Sequence, residues 1–121
     1  MAAAERRRCV LAMVDCDGNP HDIVANWLEE GVNIMFPLEV TADVDPYVWR
    51  KEFGRELRIR GGVAKRPLVE GGKAIDRELD RLRPLLEQGG CIPHLDHLVP
   101  PDSPYRHYCE YLEKKRRFIG K

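Results

Sequence analysis

Apolar runs and helical patterns alternate four times along the chain. The four runs lie at residues 10–14, 32–36, 57–60 and 91–95. Each is short enough for a β-strand, and polar residues typical of turns follow each one before a helical pattern begins. Repeated strand–loop–helix units of this kind predict a parallel α/β sheet with right-handed crossovers.

The helical patterns differ in clarity. Helices are predicted at residues 21–30, 45–53 and 105–118, with Pro46 suited to the first turn of the second. A further helix is marked by one apolar stripe whose members lie three or four residues apart, namely Ile75, Leu79, Leu82 and Leu86. Pro84 lies within this stripe and is expected to kink or restart the helix.

The number of units bounds the fold. A complete (β/α)8 TIM barrel takes about 250 residues, whereas this chain has 121. A doubly wound sheet would also place ligands at strand ends, but no glycine-rich phosphate fingerprint opens any of the predicted helices. We therefore predict an α/β fold of four consecutive βα units, half of a barrel, with residues 9–121 as a partial barrel domain and residues 1–8 as a disordered or fragmentary N-terminus.

Charge and cysteine use narrow the possible partners. The chain has 20 acidic and 20 basic residues, which argues against a nucleic-acid partner. Since no apolar run approaches the ~20 residues of a membrane span and no signal-like core follows residues 1–8, we expect no membrane partner. The four cysteines lie far apart without a CxxC pair, and we expect free thiols in a reducing, cytoplasmic compartment.

The most distinctive candidate chemistry follows the fourth predicted strand. Asp96 and His97 stand side by side, and Pro100, Pro101 and Pro104 stiffen the chain that follows. Such a pair, presented on a rigid loop, is a candidate catalytic acid and imidazole; His97 could bind carboxylates, move a proton or ligate a metal. The alternative is that Asp96 only caps the following segment and His97 is simply polar.

Carboxylates also follow the first two strands. Asp15 and Asp17 lie two residues apart and can face one side, so with His97 they could hold a divalent metal, or Asp15 could bind substrate. Asp17 is equally explained by a plain turn. Glu39, just past a proline that ends the second strand, is a candidate substrate-binding or acid–base group. The alternative is that Glu39 is only a surface loop residue.

The third strand is followed by Gly61, Gly62 and Lys65, which are candidate substrate-binding positions. The glycines could allow a substrate to approach the backbone closely, or could only bend the chain at the barrel rim. Lys65 could offer a cation to carboxylates, although a lone surface lysine often has no such role.

Five segments, in order, resemble the C-terminal half of the uroporphyrinogen decarboxylase superfamily. This superfamily includes the decarboxylases of haem biosynthesis and cobalamin-linked methyltransferases. The matching segments are residues 15–19, 27–33, 36–40, 61–66 and 89–104. The resemblance therefore implies that the four βα units are the C-terminal half of a (β/α)8 barrel.

The resemblance also implies roles for individual residues. In the decarboxylases the equivalent of His97 lies in the substrate cleft near the substrate carboxylates. In the methyltransferases that position is a zinc-binding cysteine, and a His-x-Cys pair stands where this chain has Asp15 and Asp17. The key arginines and the substrate-orienting aspartate of the decarboxylases belong to the N-terminal half of the barrel, to which no segment here corresponds.

Three functional hypotheses follow. The first is a uroporphyrinogen decarboxylase-like lyase that, in its full-length form, decarboxylates a carboxylated tetrapyrrole without a cofactor. The second is a methyltransferase of the same superfamily that uses a divalent metal, such as zinc, and a corrinoid. The third is an inactive half-barrel that folds as a homodimer or with its missing half.

Overall fold

The computed structural model describes residues 9–120, so the segment expected to be disordered at residues 1–8 lies outside the described part. The strands are β1 (Met13–Asp15), β2 (Ile34–Phe36), β3 (Arg58–Val63) and β4 (Cys91–Leu95). The helices are α1 (His21–Glu29), α2 (Pro46–Phe53), α3 (Pro67–Glu70), α4 (Lys73–Gln88) and α5 (Tyr105–Phe118). Single 3-10 turns lie at Val40–Ala42 and Gly54–Glu56.

The four strands form one parallel sheet in the order β1-β2-β3-β4. Met13 lies opposite Ile34, Ile34 opposite Arg58, and Ile59 opposite Cys91. Each crossover moves one strand further in the same direction, so right-handed connections place the helices on one face of the sheet. A doubly wound sheet would reverse direction at a switch point. The predicted α/β class is confirmed, and the strand order agrees with half of a barrel.

The core lies between this face of the sheet and the helices. Met35 and Ile59 are 1% exposed and join one cluster with Leu79 and Leu82 of α4 and Val24 of α1. The opposite face is open in the described residues. Its strand positions include Met13 and Ile92, which are 48% and 58% exposed. The sheet therefore has one packed face and one free face.

The first predicted strand needs correction. The run at residues 10–14 was expected to be a strand buried on both faces, but β1 begins only at Met13. Val10 and Leu11 are 81% and 56% exposed. The physical reason is that β1 is an edge strand, paired only with β2 among the described residues, and that helices cover a single face.

The third strand is longer than expected. Gly61 and Gly62 were expected to follow the end of the strand, but they lie inside β3, which continues to Val63. Gly61 has a φ of 129°, and a Cβ there would lie 1.7 Å from the carbonyl oxygen of Pro37. The Gly62 amide donates to that oxygen at 3.0 Å. The glycines therefore let β3 approach the chain that leaves β2.

The α4 helix confirms its predicted apolar stripe with one change. Ile75, Leu79 and Leu82 are buried, and Leu85 rather than Leu86 completes the buried set. The helix also runs through Pro84 without restarting. Pro84 is exposed, and so is Asp80, whose carbonyl would accept from residue 84 in an uninterrupted helix.

The helices and the cysteines of the described chain each have one further property. Among residues 9–120, no helix combines the length and the apolar character needed to cross a membrane. All four cysteines carry free thiols.

Candidate functional site

The carboxyl ends of the four parallel strands meet at one edge of the sheet. Asp15 is the last residue of β1. The loops that leave the strands carry Asp17 after β1, Glu39 after β2, Lys65 after β3, and His97 after β4. This is the edge at which barrel enzymes build their active sites. The sequence prediction that these residues share one end of the fold is therefore reproduced by the sheet topology.

Three of these side chains converge. The ligand atoms of Asp17, Glu39 and His97 all lie within 4.8 Å of one another. One oxygen of Glu39 accepts a hydrogen bond from the amide of Gly18 at 2.9 Å, which ties the loop after β2 to the loop after β1. Two carboxylates and an imidazole form an oxygen- and nitrogen-donor set of the kind that binds divalent cations.

This set differs from the predicted metal ligands by one member. Asp17 and His97 come together as expected, but Glu39, not Asp15, is the third residue of the cluster. Asp15 instead lines an adjoining cavity of about 350 Å³. Phe36 lines this cavity too, as do Asp17 and His97 of the cluster. The Gly18 contact, which draws Glu39 towards the β1 loop, accounts for the presence of Glu39 in the cluster.

His94 also lines this cavity and was not among the predicted site residues. Its ring packs edge-on against Phe36, with ring centres 5.1 Å apart. Its Nδ1 lies 2.8 Å from the carbonyl oxygen of Leu95 and must donate to it. In the neutral ring the proton therefore sits on Nδ1, which leaves the Nε2 lone pair available to a ligand.

Asp96 is placed differently from the expected acid–imidazole pair. Its side chain is fully buried. One carboxylate oxygen accepts from the amide of Val40 at 2.9 Å and the other from the amide of Lys65 at 3.0 Å. Burial raises the pKa of Asp96, although these two amides and the Lys65 ammonium oppose the shift. Asp96 thus ties the loops after β2 and β3 to the end of β4 and acts as a positioning residue.

The other candidate substrate-binding residues lie at the same end of β3. The close approach at Gly61 is to the Pro37 backbone, and a Cβ at Gly62 would lie 3.4 Å from the Pro46 side chain. The Lys65 amide is used by Asp96. The substrate-binding roles of these three residues remain predictions.

The open face carries one further polar group that sequence reasoning missed. The Arg60 guanidinium lies over the Phe36 ring, 4.8 Å from its centre. Its nearest polar contact in the described chain is a long one, 3.9 Å to the sulfur of Met13. The sequence did contain a signal for this group. Arg58 and Arg60 lie two apart in the third strand, and residues two apart face the same side, so both were marked as belonging to one face of the sheet.

Comparison with known proteins bears on the resemblance. No family model matches the chain, and no solved structure matches it either. Over 84 residues the chain is 31% identical to a uroporphyrinogen decarboxylase from Granulibacter bethesdensis. The chain is thus similar to part of such an enzyme. The aligned part is 69% of this chain but 24% of that enzyme, so the chain spans about a quarter of its relative's length.

Proposed function

We propose that this chain supplies one wall of the active site of a uroporphyrinogen decarboxylase-like lyase. In the full-length form its four βα units would be the C-terminal half of a (β/α)8 barrel. The observation that carries the proposal is the 84-residue similarity to a uroporphyrinogen decarboxylase. The sequential parallel sheet, with its polar residues gathered at the carboxyl ends of the strands, supports it.

The proposed substrate is a carboxylated tetrapyrrole, and the proposed reaction protonates a pyrrole and releases carbon dioxide without a cofactor. His97 lies at the cavity wall, where an imidazole can hold a substrate carboxylate or move a proton. Asp96 acts indirectly, by holding the Val40 and Lys65 segments in place. The opposite wall, with its arginines and its substrate-orienting aspartate, would come from the N-terminal half.

A chimera tests this function. In it, the present chain replaces the C-terminal half of the barrel of the Granulibacter bethesdensis enzyme. We expect the chimera to release carbon dioxide from its tetrapyrrole substrate, and the His97→Ala chimera to lose at least about tenfold in rate, because a positioned proton donor contributes that much or more.

The matched control is His21→Ala in the same chimera. His21 lies on α1, bonds to Glu52 at 2.7 Å and does not line the cavity, so its loss should leave the rate nearly unchanged. A folded chimera that releases no carbon dioxide would contradict the proposal. Equal effects of the two histidine substitutions would remove His97 from the mechanism.

The cluster of Asp17, Glu39 and His97 favours a second candidate, metal-dependent methyl transfer from a corrinoid to a thiol. These residues suit zinc by donor chemistry, although they provide no thiolate. Zinc bound there would lower the pKa of a thiol substrate and so favour its reactive thiolate form. The chain's own part would be to fix the cluster, chiefly through the bond from the Gly18 amide to Glu39.

The second candidate is tested with the same chimera. It is given methylcobalamin and a small thiol as methyl acceptor, and demethylation is measured as the change in absorbance of the corrinoid. Methyl transfer that needs zinc and is lost in Asp17→Asn, with Asp15→Asn still active, would favour this candidate over decarboxylation. Absence of methyl transfer alongside release of carbon dioxide would reject it.

A further inference from the structure

The rings of Phe36 and His94 meet across a strand that carries no side chain between them. Phe36 ends β2 and His94 lies in β4, and β3 runs between these two strands. The residue of β3 opposite His94 is Gly62, and Gly61 precedes it. Because neither glycine has a side chain to separate the rings, they pack edge to face with their centres 5.1 Å apart. The glycine pair thus leaves room for an aromatic pair on the open face of the sheet.

The orientation of the His94 ring is fixed by two contacts. Phe36 packs against the ring, and Nδ1 donates to the carbonyl oxygen of Leu95 at 2.8 Å. In the neutral imidazole, Nε2 is then a hydrogen-bond acceptor. Within residues 9–120 no hydrogen bond uses Nε2. Since His94 lines the cavity of about 350 Å³, the structure holds an acceptor of fixed orientation at the cavity wall.

The other groups at this cavity are apolar or accept hydrogen bonds. Phe36 and Leu98 supply apolar surface, and Asp15 and Asp17 supply carboxylates, which accept hydrogen bonds and donate none when ionised. Two carboxylates at one cavity also repel an anionic group. Apolar walls with a few convergent acceptors suit a flat, uncharged ring that carries an N–H donor.

We propose that this cavity binds an N–H-bearing aromatic ring and that Nε2 of His94 accepts the hydrogen bond from its N–H. The choice of pyrrole as that ring rests on the proposed function, since a tetrapyrrole substrate carries pyrrole N–H groups. In the proposed barrel the open face of the sheet is the inner face, so the cavity would lie where a substrate ring binds. His94 is then a specificity-determining residue that orients one pyrrole, and the acidic side chains of that pyrrole bind away from Asp15 and Asp17.

The test compares two small probes, pyrrole and N-methylpyrrole, on the chain alone. Each probe is titrated into the chain, and binding is measured from the imidazole nitrogen resonances of His94 in nuclear magnetic resonance spectra. We expect the Nε2 resonance to shift with pyrrole, and pyrrole to bind about three- to tenfold more tightly than N-methylpyrrole, because only pyrrole can donate the hydrogen bond. The extra methyl group makes N-methylpyrrole the more apolar probe, so apolar contact alone would give the opposite order.

Two histidine variants assign the preference to one residue. His94→Phe keeps an aromatic ring against Phe36 but removes Nε2, so it should bind the two probes with equal affinity. His107→Phe is the matched control, because His107 also loses a 2.8 Å contact from Nδ1 to a carbonyl oxygen, that of Leu68, and does not line the cavity. It should keep the wild-type preference. The preference is a ratio measured within each variant, so a change in stability alone does not alter it.

Several results would overturn the proposal. These are equal affinities of the wild-type chain for the two probes, an Nε2 resonance that pyrrole does not move, and tighter binding of pyrrole-3-carboxylate than of pyrrole. The chimera separates this inference from the proposed reaction. Release of carbon dioxide with a KM that His94→Phe leaves unchanged would overturn the inference and keep the reaction. A chain that prefers pyrrole, together with a folded chimera that releases no carbon dioxide, would remove the reaction and keep the ring site.

Discussion

The two faces of the sheet differ in what they contain. The face towards the helices is apolar and closed, with Val24 and Leu82 fully buried and Ile59 1% exposed. The other face carries exposed apolar residues beside polar ones, among them Ile92, His94 and Arg60. The difference indicates that stability comes from the helix-covered face, whereas the cavity lined by Phe36 and His94 lies on the open one.

The largest effect expected from this comparison is on stability. Leu82→Ala should lower the free energy of unfolding by about 2–5 kcal/mol, because it leaves a cavity in the closed core. Ile92→Ala, on the open face, should cost under about 0.5 kcal/mol. Urea denaturation measures both. Similar losses for the two variants would mean that the faces are not as different as their burial indicates.

An intermediate effect is expected where the two regions meet, at Asp96. Asp96→Asn should cost about 1–3 kcal/mol, because a carboxamide oxygen can serve only one of the amides of Val40 and Lys65. Asp102→Asn is the control, since the Asp102 side chain is 52% exposed and bonds only to Arg66 among the described residues. A cost no greater than that of the control would show that Asp96 does not hold the loops.

The same substitution has a predicted pH signature. Burial raises the pKa of Asp96 above its ordinary value of 3.8, so the folded chain keeps this proton at a pH where the unfolded chain has lost it. The contribution of Asp96 to stability therefore falls as pH rises from the unfolded to the folded pKa. The difference in unfolding free energy between wild type and Asp96→Asn should shrink over that window. A difference that grows with pH would reverse the assigned shift.

The smallest effects separate two ion pairs of equal spacing on α4. Arg83 and Asp80 are 49% and 64% exposed, so Asp80→Asn should cost under about 0.5 kcal/mol. Glu78 is 11% exposed, pairs with Arg81, and also accepts from the Ala64 amide at 2.8 Å. Glu78→Gln should therefore cost about 1–2 kcal/mol. Thermal unfolding of both variants would show whether burial, rather than spacing, sets how much each ion pair stabilises the fold.

Local patterns predicted much of the fold. β4 was predicted at its observed bounds, because a compact apolar run lies between a glycine pair and polar turn residues. α5 was likewise predicted at Tyr105–Phe118, since a proline precedes a long helical pattern. The run at residues 10–14 misled because an apolar run alone does not tell how many neighbouring strands will cover it.

The location of the candidate site was predicted better than the hydrogen bonds that hold its residues in place. Asp17 and His97 follow strand ends, so parallel topology alone brings them to one edge. The partners of Asp96 lie 56 and 31 residues away and are backbone amides, which no side-chain pattern marks. Glu39 was singled out as a substrate group, but its contact with the Gly18 amide depends on how two loops pack.

The central claim is that the loops after β1, β2 and β4 form one site through Asp17, Glu39 and His97. The most direct measurement is a titration of the chain with zinc. Its readout is the imidazole resonances of His97 in nuclear magnetic resonance spectra. The account predicts that they shift, that a chelator reverses the shift, and that Asp17→Asn or Glu39→Gln weakens binding at least about tenfold while Asp15→Asn does not. Unchanged His97 resonances, or a loss confined to Asp15→Asn, would contradict it.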